Sequence, residues 1–347
     1  MRLRDLAFAV GMLCAGLAGY GGALAQGTTP GSTLDVVRAR GQLLCGVSTG
    51  VAGFALPNQR GEWEGLDVDL CRGLAAAIFN DPTKVRFVPL SASTRFAAVA
   101  TGEVDLLFRN STQTMSRATS LGLRDATTYF YDGTSFLVRT DSGVRRALDM
   151  AGATVCLLQG TTNEQVVSDY FRAQQLSWTP LVFERVDQVM VALAAGRCDS
   201  FSNDASTLSA TRASMPDPSQ WTVLSERFSK EPYAAFVRRG DENWFDVVRW
   251  YTTALIEAEE RGVTRENAEE MRRTTTSADI RRLLGVTPEL GQFIRLDPTW
   301  AYNAIRAVGN YGQIYDRNWG PNTRVNLPRG PNNLWTNGGL IYAIPMR

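Results

Sequence analysis

The chain has 347 residues, of which 44% are hydrophobic and 20% charged, and its 36 Lys and Arg nearly balance its 35 Asp and Glu. This length accommodates two α/β lobes, each with its own core. The balanced charge gives no electrostatic reason to expect nucleic acid or an anionic membrane as a partner. The sequence contains no histidine, which excludes Ser-His and Cys-His nucleophiles and every histidine-ligated metal site.

The first residues have the pattern of an export signal. Arg2 and Arg4 precede an uncharged apolar stretch at 6–24, and a small-x-small cleavage site ends at Ala25. A membrane anchor and a lipoprotein signal are the alternatives. The stretch is rich in Gly and Ala, which makes a weak membrane span, and Cys14 lacks the small residues that precede a lipoprotein site. We predict a signal peptide at 1–25 that is cleaved near Ala25, and a mature protein in the periplasm.

Cleavage leaves four cysteines, Cys45, Cys71, Cys156 and Cys198. An even number of cysteines in an exported chain favours disulfides. Three pairings are possible, and pairing between neighbours along the chain gives Cys45–Cys71 and Cys156–Cys198, one bond in each lobe. Four buried free thiols are the alternative.

Strands and helices alternate in both halves of the chain. In the first half the predicted strands are Leu43–Ser48, Val85–Pro89 and Val104–Phe108, and the predicted helices are Asp67–Phe79 and Thr94–Thr101. In the second half the predicted strands are Thr154–Leu158, Leu181–Phe183 and Cys198–Ser202, and the predicted helices are Thr162–Ala173 and Val186–Ala195. This order implies mostly parallel sheets covered by helices.

A local motif occurs once in each half. A helix ends at a glycine, Gly102 or Gly196, a strand follows, and a polar residue, Asn110 or Asp204, lies just past the strand. Ligands of open α/β sheets bind outside the carboxyl ends of strands. Asn110 and Asp204 are therefore predicted to face one ligand clamped between two lobes. Two ordinary polar residues in solvated loops are the alternative.

The second lobe lies between two short extended segments, Ser135–Arg139 and Ala234–Arg238, which we predict to be paired crossover strands. The predicted first lobe is discontinuous, with residues 26–137 and 237–347, and the second lobe spans 138–236. The amphipathic helix Trp244–Arg261 follows the return, and the tail from Gly309, rich in Asn, Gly and Trp, is expected to wrap the first lobe.

Four motifs follow one another along residues 34–261: Gly61-Glu-Trp-Glu-Gly65-Leu-Asp67-Val-Asp69, Gly102-Glu-Val-Asp105, Gln159-Gly-Thr-Thr162 and Gly196-Arg-Cys-Asp199. In this order they resemble the solute-binding proteins of polar amino-acid ABC transporters. The resemblance implies the type II periplasmic binding protein fold, an α/β fold of two lobes with mostly parallel sheets joined by two crossover strands. The tail, with Ala307-Val-Gly-Asn-Tyr-Gly312, is similar to the general L-amino-acid-binding branch.

The resemblance also implies a set of ligand-binding residues. The arginine that pairs with the carboxylate of the amino acid falls on Arg117, and the polar residues before it fall on Asn110 and Thr112. The threonine at the start of the second-lobe helix falls on Thr162, and the aspartate that accepts the ammonium group falls on Asp204. This chemistry suits a zwitterion, because a guanidinium binds a carboxylate in a planar, two-pronged way and an aspartate accepts from an ammonium.

Three positions qualify this assignment. Thr162 and Gln165 also fit a capping box, which would give that threonine a purely structural role. Arg95 falls where binders of acidic amino acids place an arginine near the ligand side chain, with a surface arginine as the alternative. Where many relatives stack an aromatic ring on the ligand, this chain has Thr49-Gly-Val51-Ala52-Gly53.

The resemblance implies a periplasmic component that binds free L-amino acids, with polar, acidic or amide side chains preferred, and delivers them to the membrane permease of an ABC transporter. It implies a monomer without catalytic residues, metal, cofactor or nucleic acid. One alternative is an enzyme on the same fold, a dehydratase or a lyase. The other is the sensor half of a receptor, although no later apolar stretch approaches the ~20 residues that span a membrane.

Overall fold

The computed structural model of the protein describes residues 31–347, and the signal peptide predicted at 1–25 lies outside them. The strands are β1 (Leu43–Ser48), β2 (Leu56–Pro57), β3 (Trp63–Glu64), β4 (Val85–Leu90), β5 (Leu106–Leu107), β6 (Leu123–Asp132), β7 (Thr134–Arg139), β8 (Thr154–Leu158), β9 (Thr179–Phe183), β10 (Ser200–Asp204), β11 (Trp221–Val223) and β12 (Glu231–Arg238).

The α-helices within the same residues are α1 (Thr33–Arg40), α2 (Leu66–Phe79), α3 (Arg95–Thr101), α4 (Met115–Ser120), α5 (Thr162–Ala173), α6 (Val186–Ala194), α7 (Ala205–Ser214), α8 (Glu242–Glu260), α9 (Ala268–Thr274), α10 (Ala278–Leu283), α11 (Glu289–Phe293), α12 (Trp300–Val308) and α13 (Tyr311–Trp319). Short 3₁₀ helices lie at Thr140–Ser142, Ala147–Met150, Pro218–Gln220, Gly330–Asn332 and Trp335–Asn337. Between residues 31 and 347 no helix has both the length and the hydrophobicity needed to cross a bilayer.

Two five-stranded sheets of the same design form the centres of two lobes. Their strand orders are β4-β1-β5-β12-β6 and β9-β8-β10-β7-β11. In each sheet four strands run in one direction, and one strand, β12 in the first and β7 in the second, runs against both of its neighbours. The α/β class with mostly parallel sheets is therefore confirmed.

The two reversed strands are the places where the chain changes sheets. The chain enters the second sheet between Asp132 and Thr134, and it returns to the first between Val223 and Glu231. The prediction that the two crossover segments pair with each other is wrong: β7 pairs with β10 and β11, whereas β12 pairs with β5 and β6. Each segment completes the hydrogen-bond ladder of its own sheet, which leaves neither of them free to pair across the hinge.

The C-terminal part of the chain is built into the core of the first lobe. Helix α12 packs on α2, and α13 packs on α8 and α2. The ring of Trp319, which is fully buried, lies edge-on to Phe54 at a centroid distance of 4.7 Å. Large aromatic side chains buried in this way contribute about 1.5–3 kcal/mol each through area removed from water. The predicted packing of the tail on the first lobe agrees with these contacts.

Each lobe contains one disulfide. Cys45 on β1 bonds to Cys71 on α2, with a Cα–Cα distance of 6.2 Å, and Cys156 on β8 bonds to Cys198, just before β10, with a Cα–Cα distance of 5.7 Å. These are the two pairings that the sequence predicted. Since neither bond joins the two lobes, neither restricts a hinge motion between them.

Candidate functional site

A cleft lies between the two sheets, at the carboxyl ends of their parallel strands. The first lobe lines it with loops that follow β1, β4 and β5, and the second lobe lines it with loops that follow β8 and β9 and with the end of β10. The cleft holds about 510 Å³ of space that protein atoms do not fill, part of it open to solvent. This is the location at which open α/β sheets bind their ligands.

The two lobes touch each other across the cleft. The guanidinium of Arg95 in the first lobe donates to the backbone oxygen of Gly160 in the second at 3.3 Å. Gly160 has φ +75°, and a Cβ there would lie 3.0 Å from the Cα of Ser93 and 3.1 Å from the backbone oxygen of Ala92. The approach therefore requires a residue without a side chain at position 160.

Asn110, predicted to face the ligand, lines the cleft and is held from behind by a buried carboxyl group. Its backbone N–H donates to Asp67 at 3.1 Å, and the hydroxyl of Tyr129 donates to the other oxygen of Asp67 at 2.8 Å. Burial raises the pKa of Asp67 to about 7, although both hydrogen bonds lower it. Asp67 therefore orients the loop that carries Asn110.

Three buried arginines lie around the cleft, and in residues 31–347 none of them is within ion-pair distance of a carboxylate. Arg95 and Arg109 line the cleft, so the surface alternative for Arg95, which is 2% exposed, is wrong. Their guanidinium groups donate to backbone oxygens, Arg95 to Ala92 at 2.7 Å and Arg109 to Leu90 at 3.0 Å. Burial lowers the pKa of Arg95 well below its usual value and that of Arg109 to about 10.

Arg117, the predicted carboxylate partner, lies beside the residues that line the cleft. Its guanidinium donates to the backbone oxygen of Thr112 at 2.9 Å and lies 4.8 Å from the centre of the Phe96 ring. The guanidinium of Arg95 lies 4.5 Å from the centre of the same ring. Burial lowers the pKa of Arg117, and the nearby carboxylates Glu231 and Asp204 raise it.

Asp204, the predicted ammonium partner, is the last residue of β10 and is 5% exposed. Its carboxyl group accepts from the side-chain amide of Asn163 at 2.9 Å and from the hydroxyl of Tyr233 at 2.5 Å. Burial and the like charges of Glu231 and Asp132 raise its pKa to about 8. A cation placed next to this group would favour its ionised form.

Thr112 and Thr162 meet at one residue that the sequence analysis missed. Both threonines line the cleft, and the hydroxyl groups of both donate to Oε2 of Glu231, at 2.6 Å and 2.8 Å. The capping-box alternative for Thr162 is wrong, because the N-cap of α5 is Thr161 and the hydroxyl of Thr162 is directed to Glu231. The predicted return strand began at Ala234, three residues too late, which left the buried Glu231 in a loop.

Several polar atoms of residues that line the cleft are buried and have no hydrogen-bond partner within residues 31–347. They are Arg95 Nε, Asn110 Oδ1, Asn203 Nδ2 and Thr207 Oγ1. Leaving a buried polar group without a partner costs about 1–3 kcal/mol, so such groups are rare in folded proteins unless a ligand or water satisfies them. The set contains donors as well as acceptors, so it suits a ligand that has both.

The described residues hold no group of three or more Cys, Asp or Glu placed to bind a metal ion. The sequence of residues 43–273 matches the family of bacterial extracellular solute-binding proteins, family 3. The chain belongs to this family.

Two amino-acid-binding proteins are similar to this protein over nearly the whole chain. The glutamate/glutamine/aspartate/asparagine-binding protein BztA of Rhodobacter capsulatus is 46% identical over 325 residues, which cover 94% of this chain and 96% of BztA. The general L-amino acid-binding periplasmic protein AapJ of Rhizobium johnstonii is 44% identical over 328 residues, which cover 93% of this chain and 96% of AapJ.

A solved structure shares the fold closely. It is an ABC transporter periplasmic binding protein from Brucella ovis with glutathione bound, 46% identical, with a TM-score of 0.89. The match covers 91% of this chain and 99% of the Brucella ovis chain. The type II fold predicted from the sequence is therefore confirmed.

Proposed function

We propose that this protein binds free L-amino acids between its lobes and delivers them, chemically unchanged, to the membrane permease of an ABC transporter. The observation that carries the proposal is that one cleft collects buried guanidinium groups and a buried carboxyl group, none of which has an ion-pair partner among residues 31–347. A free amino acid is a zwitterion, and it supplies both missing partners at once. The names of BztA and AapJ, both amino-acid-binding proteins, support the same assignment.

For the carboxylate of the ligand we propose Arg117 together with the first turn of α5. Arg117 uses one N–H donor on the backbone of Thr112, which leaves further donors of its planar guanidinium for a two-pronged contact. The N-terminus of α5 begins at Thr162 in the cleft lining and offers backbone N–H groups and the positive end of a helix dipole.

For the ammonium group we propose Asp204. It is buried at the end of β10, and it lacks a cationic partner among the described residues. Arg117 follows a strand of the first lobe, and Asp204 ends a strand of the second. Because the carboxylate and the ammonium group of an amino acid are attached to the same carbon, a ligand that contacts both residues links the two lobes. Lobe closure also excludes water, which strengthens both charged contacts.

For the ligand side chain we propose a preference for acidic and amide groups. The guanidinium groups of Arg95 and Arg109 add positive charge to the cleft lining, and Val51 lies where many relatives carry an aromatic ring. An acidic side chain gains both a hydrogen bond and an ion pair from such a lining, whereas an amide oxygen gains the hydrogen bond without the ion pair. The name of BztA specifies glutamate, glutamine, aspartate and asparagine, and that of AapJ specifies L-amino acids in general.

Calorimetry tests the proposal when it is run on the exported protein after unfolding and refolding to remove any bound ligand. We expect binding of several polar L-amino acids, and NMR of the released ligand should show that it is unchanged. Arg117→Ala and Asp204→Asn should each weaken binding more than tenfold, because each leaves one ligand charge buried without a partner, at a cost of roughly 2–5 kcal/mol. Tight binding of a sugar or a metal with no amino-acid signal would overturn the proposal, and turnover of the ligand would favour the enzyme alternative.

Glutathione and other γ-glutamyl compounds are a second candidate class, favoured by the glutathione in the Brucella ovis relative. The γ-glutamyl residue has a free α-amino and a free α-carboxylate group, so the same two contacts can hold it. Competition between glutathione and glutamate distinguishes the candidates. Mutual displacement supports one shared site, and glutathione binding without glutamate binding would replace the amino-acid assignment.

We further propose that the protein is exported with cleavage near Ala25 and acts as a monomer at its permease. The pattern at 2–25 and the extracellular family to which the chain belongs support export. Mass spectrometry of the protein recovered from the periplasm gives the mature N-terminus, and light scattering gives the mass in solution. A retained Met1, a lipid on Cys14 or a stable dimer would contradict the corresponding part of this proposal.

A further inference from the structure

We propose that Glu231 is a positioning residue that converts the hydroxyl groups of Thr112 and Thr162 into acceptors for the ammonium group of the ligand when the lobes close. The inference rests on the proposed binding of a zwitterion in the cleft. It adds an acceptor set beyond Asp204, and it assigns a task to a residue that does not line the cleft itself.

The geometry of Glu231 couples this task to lobe closure. Thr112 follows β5 in the first lobe and Thr162 begins α5 in the second, and their hydroxyl groups reach the same oxygen, Oε2, at 2.6 Å and 2.8 Å. Glu231 itself begins β12, at the point where the chain returns to the first sheet. One carboxylate oxygen can collect both hydroxyl groups only when the two lobes are close.

The direction of these hydrogen bonds follows from the chemistry of the groups. A hydroxyl group has one proton and two lone pairs, and a carboxylate has acceptors alone. Both threonines therefore spend their single hydroxyl proton on Glu231. In the cleft each hydroxyl group is left with lone pairs, which suit an ammonium group with its three N–H donors and repel a ligand carboxylate.

The remaining contacts of Glu231 hold its carboxylate in place. Oε1 accepts from the hydroxyl of Ser229 at 2.7 Å and from that of Thr134 at 3.4 Å. The residue is 2% exposed and has no ion-pair partner in the part of the chain that the structure describes. The hydroxyl of Ser229 also lies 2.8 Å from that of Thr134, so these two groups share their protons between Glu231 and each other. Hydroxyl groups from both lobes and the hinge thus surround one buried carboxylate, and those of Thr112 and Thr162 direct their protons toward it.

This arrangement changes the role expected for Thr162. The proposed function places the first turn of α5, which begins at Thr162, beside the carboxylate of the ligand. With its hydroxyl proton used on Glu231, Thr162 can offer the ligand carboxylate a backbone N–H but not its side chain. The side chain instead belongs with Asp204 on the ammonium side of the ligand.

The test compares the parent with Glu231→Gln, Thr112→Val, Thr162→Val and the double variants, with calorimetry against the amino acid that the parent binds most tightly. A glutamine keeps the shape of Glu231 but offers an amide N–H₂ in place of one acceptor oxygen, so at least one threonine must turn. Glu257→Gln is the matched control, because Glu257 is also buried and its partner, Arg261, is remote from the cleft lining.

We expect Glu231→Gln to weaken binding at least tenfold and the control to stay within about twofold of the parent. Adding Thr112→Val to Glu231→Gln should cost less than a further twofold, because both changes remove the same oriented hydroxyl group. Binding by Glu231→Gln within twofold of the parent, or losses that multiply independently in the double variant, would overturn the inference. If Glu231→Gln does not fold, the two threonine variants decide, and losses below twofold in both would overturn it.

A parent protein that binds no amino acid would instead refute the proposed function, so the two failures are distinguishable. Small-angle scattering at saturating ligand adds a second measurement. Glu231→Gln should still become compact when the site is full, because the charged contacts of the ligand to the two lobes persist. A variant that binds normally but no longer compacts would assign Glu231 to the hinge alone and overturn the acceptor role.

Discussion

The hydroxyl of Tyr233 donates to the carboxyl group of Asp204 at 2.5 Å, so a strand of the first lobe supports the proposed ammonium site of the second. Tyr233 lies on β12 and Asp204 ends β10, strands that belong to different sheets. The same hydroxyl oxygen lies 3.3 Å from Asp132, at the point where the chain leaves the first sheet. The hydroxyl of Tyr233 therefore contacts both the proposed ligand site, at Asp204, and the hinge, at Asp132.

Tyr233→Phe removes this bond and leaves the ring in place. We expect amino-acid affinity to fall about ten- to hundredfold, because a hydrogen bond to a charged group is worth about 1.5–3 kcal/mol. Calorimetry measures the loss. Tyr251→Phe is the control, since it removes an equally buried hydroxyl that donates to the backbone of Leu70 at 2.8 Å, away from the cleft. Equal losses in the two variants would show a general effect on the fold.

Ligand binding should release a proton at neutral pH. Burial and the like charges of Glu231 and Asp132 raise the pKa of Asp204 to about 8, so the carboxyl group is mostly protonated in the ligand-free protein at about pH 7. An ammonium group placed against it favours the carboxylate, and the proton leaves. Affinity should therefore rise between about pH 6 and about pH 8 and level off above that range.

Calorimetry in buffers of different ionisation enthalpy counts the released protons. Asp204→Asn, which cannot titrate, should abolish the part of the release that depends on this group. Its ligand-free form should also lose less stability as pH rises from about 4 to about 8, because the unfolded parent releases that proton near the ordinary value of 3.8 and the folded parent retains it. The absence of any proton exchange by the parent would contradict the prediction.

Arg95→Ala should change the relative affinities for different amino acids more than the binding of the ammonium and carboxylate groups that all of them share. The guanidinium of Arg95 lines the cleft, and its Nε has no hydrogen-bond partner among the described residues. We therefore expect acidic amino acids to lose about tenfold in affinity and amide ones less. The ratio of glutamate to glutamine affinity, measured by calorimetry, checks this. The same loss for every amino acid would assign Arg95 to closure through Gly160 instead.

Removal of the second-lobe disulfide should lower stability and spare binding. The bond Cys156–Cys198 spans a sequence separation of 42 residues, for which the chain-entropy relation gives ~3–4 kcal/mol. Cys156→Ser/Cys198→Ser should therefore unfold at lower denaturant concentration and keep an affinity within about twofold of the parent. Peptide mapping without reduction checks the pairing, and four alkylatable thiols in the exported protein would contradict it.

Much of the framework could be predicted from the sequence because it depends on local patterns. Asn110 and Asp204 each follow a glycine-terminated helix and a short strand, and both line the cleft. The two cysteine pairs join elements that are neighbours along the chain, so the nearest pairing was the observed one. The four motifs, in their order along the chain, predicted the family of solute-binding proteins to which the chain belongs. The ligand contacts of Arg117, Thr162 and Asp204 stay predictions.

The tertiary structure alone decided how distant segments meet. The sequence predicts extended segments at Ser135–Arg139 and Ala234–Arg238, within β7 and β12, but it does not give their pairing partners, and each strand joined its own sheet. Arg95 donates to Gly160, 65 residues later, and the bonds from Thr112 and Thr162 to Glu231 span 119 and 69 residues. A hydrophobic period describes one element at a time. Contacts made at lobe closure depend on the relative position of two folded sheets, which no local pattern contains.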